Sequence, residues 1–391
     1  MTQISWPKWP QCQLKDKALS YLSQILDSDR WTVRGDKSGT YLTELFEESW
    51  AELCATKYAI AVNSGSQALE LMLKGIGIGP GDEVIVSSLG WYATQAAVVR
   101  VGATPIFADV DLKTTCICTK EVKKKITPST KAILVTHLHC ATPDLKGLIL
   151  EARKHSIPLL EDASQAHGAT YNGKPIGSLS TAACFSFNQE KLIASGEGGV
   201  VVTNDKALFL KMYALRTDGY LPPNENRNWY FNGNIRGQNL CISEFQAAVL
   251  LAQLEAFDSQ ASCRNKHADM LNSLMESIDG FEPILTVAEN TSRAFYEYGF
   301  FVSKQFLDFI SLDEIAKELT DYTKVDIHRT DEPVTQNPLF CSNQPTPSLP
   351  NAVAIYESLL VFHHRFLLDE RIVLMLINGL QKLSSRFLAK N

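Results

Sequence analysis

The chain has 391 residues, of which 45% are hydrophobic and 20% charged, with a formal net charge of −6 and an isoelectric point near 5.8. These are the figures of a soluble globular protein long enough for two domains, and they exclude the basic stripe of a nucleic-acid-binding protein. No apolar run approaches the roughly 18 residues of a membrane span, and the opening ten residues lack the basic and apolar regions of a secretory signal.

The nine cysteines (12, 54, 116, 118, 140, 184, 241, 263 and 341) are scattered and include no Cys-x-x-Cys pair. They read as reduced thiols of a cytoplasmic protein, without a disulfide framework or a metal site.

Short apolar strands alternate with amphipathic helices over residues 58–203. The strand candidates are 58–62, 83–87, 105–108, 132–137, 158–161, 182–187 and 200–203, with helices at 67–74, 93–101, 119–126 and 145–155. Continuous Val/Ile/Leu runs mark strands buried on both faces, so the alternation predicts a mostly parallel α/β sheet of seven strands. An apolar-periodic stretch at 242–254 leaves this domain. The remainder, with a strand-like 295–302 and a Pro-rich 333–350, predicts a smaller C-terminal α+β domain. The expected division is 1–258 for the N-terminal segment and large domain and 259–391 for the small one.

Several segments carry chemistry. Asn63-Ser-Gly-Ser-Gln follows the first strand and opens a helix, so the amides of Gly65 and Ser66 with the Ser66 hydroxyl can cradle a phosphate; a plain serine N-cap fits the same letters. Gly75-Ile-Gly-Ile-Gly79 looks like a dinucleotide loop, but it follows a helix and precedes a strand, the reverse of the order that loop needs. Trp91 lies just past a strand at the carboxyl edge of the sheet, where its face can meet a cofactor ring or simply pack. Asp162 lies just past a buried strand in Glu161-Asp-Ala-Ser-Gln-Ala-His-Gly168, with Gln165 three residues on and His167 as either a supporting or a structural group. Ser186 alternates with Phe185 and Phe187, so its hydroxyl points away from their rings. Lys191 stands between an apolar strand and the Gly-rich turn Gly196-Glu-Gly-Gly199, where partial desolvation lowers an amine's pKa and makes it a nucleophile toward a carbonyl. An acid and a lysine so placed are the two groups that hold pyridoxal 5′-phosphate (PLP): the lysine as a Schiff base, the carboxylate on the pyridine nitrogen.

Asn63-Ser-Gly-Ser, Glu161-Asp-Ala-Ser-Gln-Ala-His-Gly, Phe185-Ser-Phe…Lys191…Gly196-Glu-Gly-Gly and Ser243-Glu-Phe-Gln-Ala-Ala stand in order over nearly 200 residues. The ordered set resembles the DegT/DnrJ/EryC1/StrS family of PLP-dependent sugar aminotransferases, of fold type I. Trp6-Pro-Lys-Trp9-Pro, Arg30-Trp-Thr-Val-Arg-Gly35, Gly237–Gln246, Asn337-Pro-Leu-Phe-Cys341 and His363-His364 are similar to its aminocyclitol-forming members. That resemblance implies an aminotransferase moving an amino group from L-glutamine or L-glutamate to a keto-cyclitol or keto-sugar. Lys191 would be the catalytic Schiff-base residue. Asp162, Gln165 and Trp91 would hold the ring, and Gly65, Ser66 and Ser186 the phosphate. Asn239 would reach the phosphate of the neighbouring subunit, making a homodimer part of the site; no metal, nucleic acid or membrane partner is implied. Cys241 stands where the family has Arg. His328-Arg-Thr-Asp-Glu-Pro333 and His137-Leu-His139-Cys140 also depart from the pattern, and Arg329 can recognise a carboxylate or phosphate or be a solvated surface group. The competing readings are a PLP enzyme for a carboxylated or phosphorylated ketone and a non-catalytic member acting as a sensor or pathway partner. A sugar dehydratase of the family would carry histidine in place of Lys191.

Overall fold

The computed structural model describes residues 12–33, 41–222, 234–285, 291–337, 340 and 348–389. Of the segments just named, Trp6–Pro10, Arg34, Gly35 and residues 338, 339 and 341 lie outside that range.

The seven strand candidates form one sheet. Its strands are β1 (Tyr58–Val62), β2 (Glu83–Ser87), β3 (Thr104–Ala108), β4 (Thr130–Thr136), β5 (Leu159–Asp162), β8 (Ala182–Ser186) and β9 (Gly199–Thr203), in the order β1-β9-β8-β5-β4-β2-β3. A two-stranded hairpin, β6 (Thr170–Tyr171) with β7 (Lys174–Pro175), intervenes in the chain. Strand β9 alone runs against its neighbours; the other contacts in the sheet are parallel. Helices cover both faces, which is why β8 and β9 are buried at every position and read as unbroken apolar runs.

Eight principal helices carry the chain through and out of this domain: α1 (Cys12–Ser28), α2 (Leu42–Leu53), α3 (Gly65–Ile76), α4 (Ala93–Arg100), α5 (Thr119–Lys125), α6 (Leu145–Lys154), α7 (Lys206–Arg216) and α8 (Glu244–Met275). The sequence pattern marked neither α1, α2 nor α7, and it ended α8 at 254. Helix α8 runs on because Gln260, Arg264 and His267 are buried along it, so a real interior face looks polar in the sequence. Its N-terminus carries a Ser243/Gln246 capping box. The neighbouring Glu244 reaches back to α2, accepting from Leu42 N at 2.7 Å and Thr43 Oγ1 at 2.5 Å. The Ser-Glu-Phe-Gln motif thus starts one helix and caps another.

The C-terminal part forms an antiparallel sheet in the order β10-β11-β13-β12, from β10 (Phe281–Pro283), β11 (Glu297–Val302), β12 (Ile327–Arg329) and β13 (Leu359–His363). The buried residues of α8 up to Phe257 join a core beneath the large sheet. Those from Ala268 onward join the core of the small one. Among the described residues no helix is long and apolar enough to cross a membrane, and no cluster of His, Cys, Asp and Glu is arranged to hold a metal ion.

Candidate active site

Strands β1, β2, β4, β5 and β8 are mutually parallel and bring their C-terminal ends to one edge, where open α/β sheets hold ligands. Ser64 and Gly65 follow β1, Trp91 follows β2, Thr136 closes β4 with His137 just past it, Asp162 closes β5, and Lys191 lies just past β8. With Tyr296, Glu297, His328 and Asp331 from the small domain they line a cavity of about 510 Å3. Gly65, Ser66, Trp91, Asp162, Gln165, Ser186 and Lys191 all lie on its wall. Asn239 does not: it is exposed on a segment bridged to Thr217, its Oδ1 accepting from Cys241 N at 3.3 Å.

Lys191 Nζ sits 4.1 Å from the centre of the Tyr296 ring. Burial pushes its pKa down, against the pull of the Glu297, Asp162, Asp331 and Glu190 carboxylates. Asp162 is held at both oxygens: Oδ2 accepts from Thr94 Oγ1 at 2.5 Å and Oδ1 from Ser164 N at 3.1 Å. Gln165 Oε1 accepts the backbone N–H of His139 at 2.5 Å, which leaves the NH2 end of the amide for the cavity.

The N-cap of α3 is Ser64, whose hydroxyl accepts from Gln67 N at 3.2 Å. Ser66 is therefore not the cap, and its hydroxyl is not consumed by the helix end. The first-turn N–H groups of Gly65 and Ser66 have no helical carbonyl within reach, which is the arrangement that suits an anion. Only glycine fits at 65, because a Cβ there would lie 2.6 Å from Ser186 Cβ and 2.8 Å from its Oγ. Gly199 allows the same crowding from the other side: its Cβ would lie 2.6 Å from Ser64 C. Two further wall groups, Thr136 Oγ1 and His137 Nδ1, are buried without a hydrogen-bond partner, as polar atoms are when a polar guest completes them.

The model of the DegT/DnrJ/EryC1/StrS aminotransferase family matches residues 12–381. The chain is 35% identical to an L-glutamine:scyllo-inosose aminotransferase of Streptomyces griseus, over 94% of this chain and 91% of that protein. It is 36% identical to an L-glutamine:2-deoxy-scyllo-inosose aminotransferase of Streptomyces lividus, over 86% and 80%. Its fold superposes on an aminotransferase from Psychrobacter cryohalolentis with a TM-score of 0.87 at 28% identity, covering 98% and 99% of the two chains. The chain belongs to the DegT/DnrJ/EryC1/StrS family. It is a PLP-dependent aminotransferase, with the α/β large domain and small C-terminal sheet of its structural neighbours.

Three places that the sequence left open now have a physical account. Arg329 is bound outside the cavity, to Asp313 at 2.6 Å and to the Tyr356 carbonyl at 3.4 Å, so it is not a substrate anchor; its neighbours His328 and Asp331 line the wall instead. His167 is a structural group. Its Nε2 donates to the Ser186 carbonyl at 2.8 Å, Trp50, Phe185 and Phe187 pack around its ring, and burial pushes its pKa down to about 3. Near Cys241, Arg216 is fully buried and paired with Glu47, so a buried arginine stands close to the position where the family's own is missing.

Sequence reasoning overlooked Thr94, Tyr296 and Glu297, and it marked His139 only as part of a loop that departs from the family's pattern. Thr94 had a signal, since it sits in the same post-strand segment as Trp91. Tyr296 and Glu297 had none: they open a strand that looked purely structural, and only the packing of the small domain brings them to Lys191.

Proposed function

We propose that this chain transfers an amino group from L-glutamine to a neutral keto-cyclitol, with PLP held on Lys191. The observation that carries the acceptor class is the charge of the wall. Glu190, Glu297 and Asp331 face the cavity, while Arg329 is tied to Asp313 outside it. Carboxylates accept from the hydroxyls of a polyol ring and repel a phosphate or an added carboxylate. The same charge separates the two donors. Glutamine and glutamate share the α-carboxylate, and only glutamate brings a second anion to the wall. The named substrates of the Streptomyces griseus and Streptomyces lividus relatives support this reading.

The donor set suits the cofactor. Gly65 and Ser66 N–H groups with the Ser66 and Ser186 hydroxyls would take the phosphate, Asp162 the pyridine nitrogen, the Gln165 NH2 the phenolic oxygen, and Trp91 one face of the ring. Asn239, exposed on its own subunit, would serve the phosphate of a partner in a homodimer. When bound, PLP supplies an electron sink for charge at the donor's α-carbon. Lys191 Nζ then takes the α-proton from the donor and later delivers one to the carbon that was the acceptor's carbonyl. Desolvation lets this amine lose its proton more readily than a surface lysine. Thr94 and Ser164 keep Asp162 from turning away, and Tyr296 limits where the lysine can swing.

Borohydride treatment should fix PLP on Lys191, and Lys191→Ala should lose both that adduct and transamination. L-Glutamine alone should bleach the yellow protein and scyllo-inosose should restore the colour. Bleaching by glutamate and recovery by a phosphorylated ketone at comparable rates would overturn the acceptor and donor assignment. A protein that binds PLP but never bleaches would be a sensor.

A further inference from the structure

His139 occupies an unusual place. It lies in the loop after β4 with φ +58°, left-handed for a residue with a full side chain, a conformation that costs energy and persists where the surroundings enforce it. Three bonds enforce it here. Its backbone N–H donates to Gln165 Oε1 at 2.5 Å. Its Nδ1 lies 2.6 Å from Glu297 Oε2 and its Nε2 2.7 Å from Thr330 Oγ1. An ionised carboxylate only accepts, so Nδ1 carries the proton and the Thr330 hydroxyl donates to Nε2 in the neutral ring.

We propose that His139 is a positioning residue for the cofactor site. Its amide turns the Gln165 carboxamide so that the NH2 faces the ring oxygen. Its imidazole holds the Glu297 carboxylate as the counter-charge to the nitrogen of Lys191. This rests on PLP being carried by Lys191. Other groups share the field at that lysine: Asp162, Asp331 and Glu190 add negative charge, and His167 and His363, both with lowered pKa, add none near neutrality. Glu297 itself is faced by His139, His328 and Lys191, and by Asp331 with the opposite effect. Burial alone would favour its neutral acid; the hydrogen bond from His139, with the charge of Lys191, keeps it ionised.

The test is a pH titration of the visible absorbance of the PLP-loaded protein without substrate. Removing a facing buried anion loosens the proton on the Lys191 nitrogen, so Glu297→Gln should move the midpoint down by about one pH unit. His139→Gly tolerates the left-handed backbone and removes only the imidazole; it should shift the midpoint the same way. His139→Asn, which keeps a donor near Glu297 and also tolerates positive φ, should recover part of the shift. The double variant should shift no further than Glu297→Gln alone. Unchanged midpoints in His139→Gly and Glu297→Gln would overturn the proposal even if the proteins melt earlier. Should His139→Gly not fold, Glu297→Gln and Thr330→Val decide, the latter expected to give a smaller downward shift and overturning the role of His139 if Glu297→Gln shifts while it does not. Failure of borohydride to fix PLP on Lys191 in the unmutated protein would instead refute the cofactor assignment beneath it.

Discussion

Gly65→Ala is the sharpest perturbation of the phosphate cradle. The new Cβ would stand 2.6 Å from Ser186 Cβ and 2.8 Å from Ser186 Oγ, where carbon atoms in contact prefer about 3.5–4.0 Å. Something must move by about 1 Å, and the two movable bodies are the first turn of α3 and the end of β8. Overpacking of that kind costs about 1–3 kcal/mol of stability. Parting the two also withdraws the Gly65 and Ser66 amides from any phosphate they share with Ser186. A hydrogen bond to a charged group contributes about 1.5–3 kcal/mol, so losing one such bond should raise the dissociation constant for PLP about 10- to 150-fold. Equilibrium dialysis or fluorescence quenching would measure the affinity, and melting with and without PLP would separate lost stability from lost binding. Gly79→Ala is the control, because nothing lies within 4 Å of its Cβ. Wild-type affinity for PLP in Gly65→Ala would refute the cradle.

Thr94→Val removes the 2.5 Å bond to Asp162 Oδ2 without changing shape, so PLP affinity or turnover should fall about tenfold, a loss of roughly 1.5 kcal/mol; unchanged values would show that Ser164 alone suffices. Arg329→Ala should leave KM for the acceptor within about twofold and cost about 1 kcal/mol of stability, because its partner Asp313 is largely exposed. A large rise in KM would restore Arg329 as a substrate group. His167 predicts a pH dependence of stability. Its folded pKa of about 3 lies below the ordinary value of 6.5, so below about 6.5 the unfolded chain binds a proton that the folded one refuses. Stability should fall as pH drops through the window from 6.5 toward 3, by up to about 1.4 kcal/mol per pH unit from this group. His363, with a pKa pushed down to about 4 by burial, acts in the same direction. Urea midpoints at pH 7 and pH 5 would show it, and His167→Gln should flatten the slope; an unflattened slope would place the acid sensitivity elsewhere.

Much of the molecule could be read from local pattern. Strand candidates such as 182–187 and 200–203 were legible because strands buried on both faces leave unbroken apolar runs. The residues at their ends were legible because chemistry at a sheet edge sits at a strand's end or within a few positions of it, as Asp162 closes β5 and Lys191 follows β8. Helix α8 shows where pattern fails. Its second half buries Gln260, Arg264 and His267, and a buried polar face has no apolar period. Ser66 shows a subtler failure, since Asn63-Ser-Gly-Ser offers two serines for one cap and only the backbone angles assign it to Ser64.

By itself, then, the sequence determined the α/β architecture, the family, and the order of Gly65, Asp162, Ser186 and Lys191 along one sheet edge. Each of those depends on neighbours within a few residues of itself. What only the tertiary structure decided is the other half of the wall. Glu190, Glu297 and Asp331 meet because the small sheet packs over the edge of the large one, and His139 reaches Glu297 across 158 positions of chain. No local period encodes a meeting at that distance. It is set by which hydrophobic faces the two domains bury against each other, and the charge that greets the substrate follows from that packing.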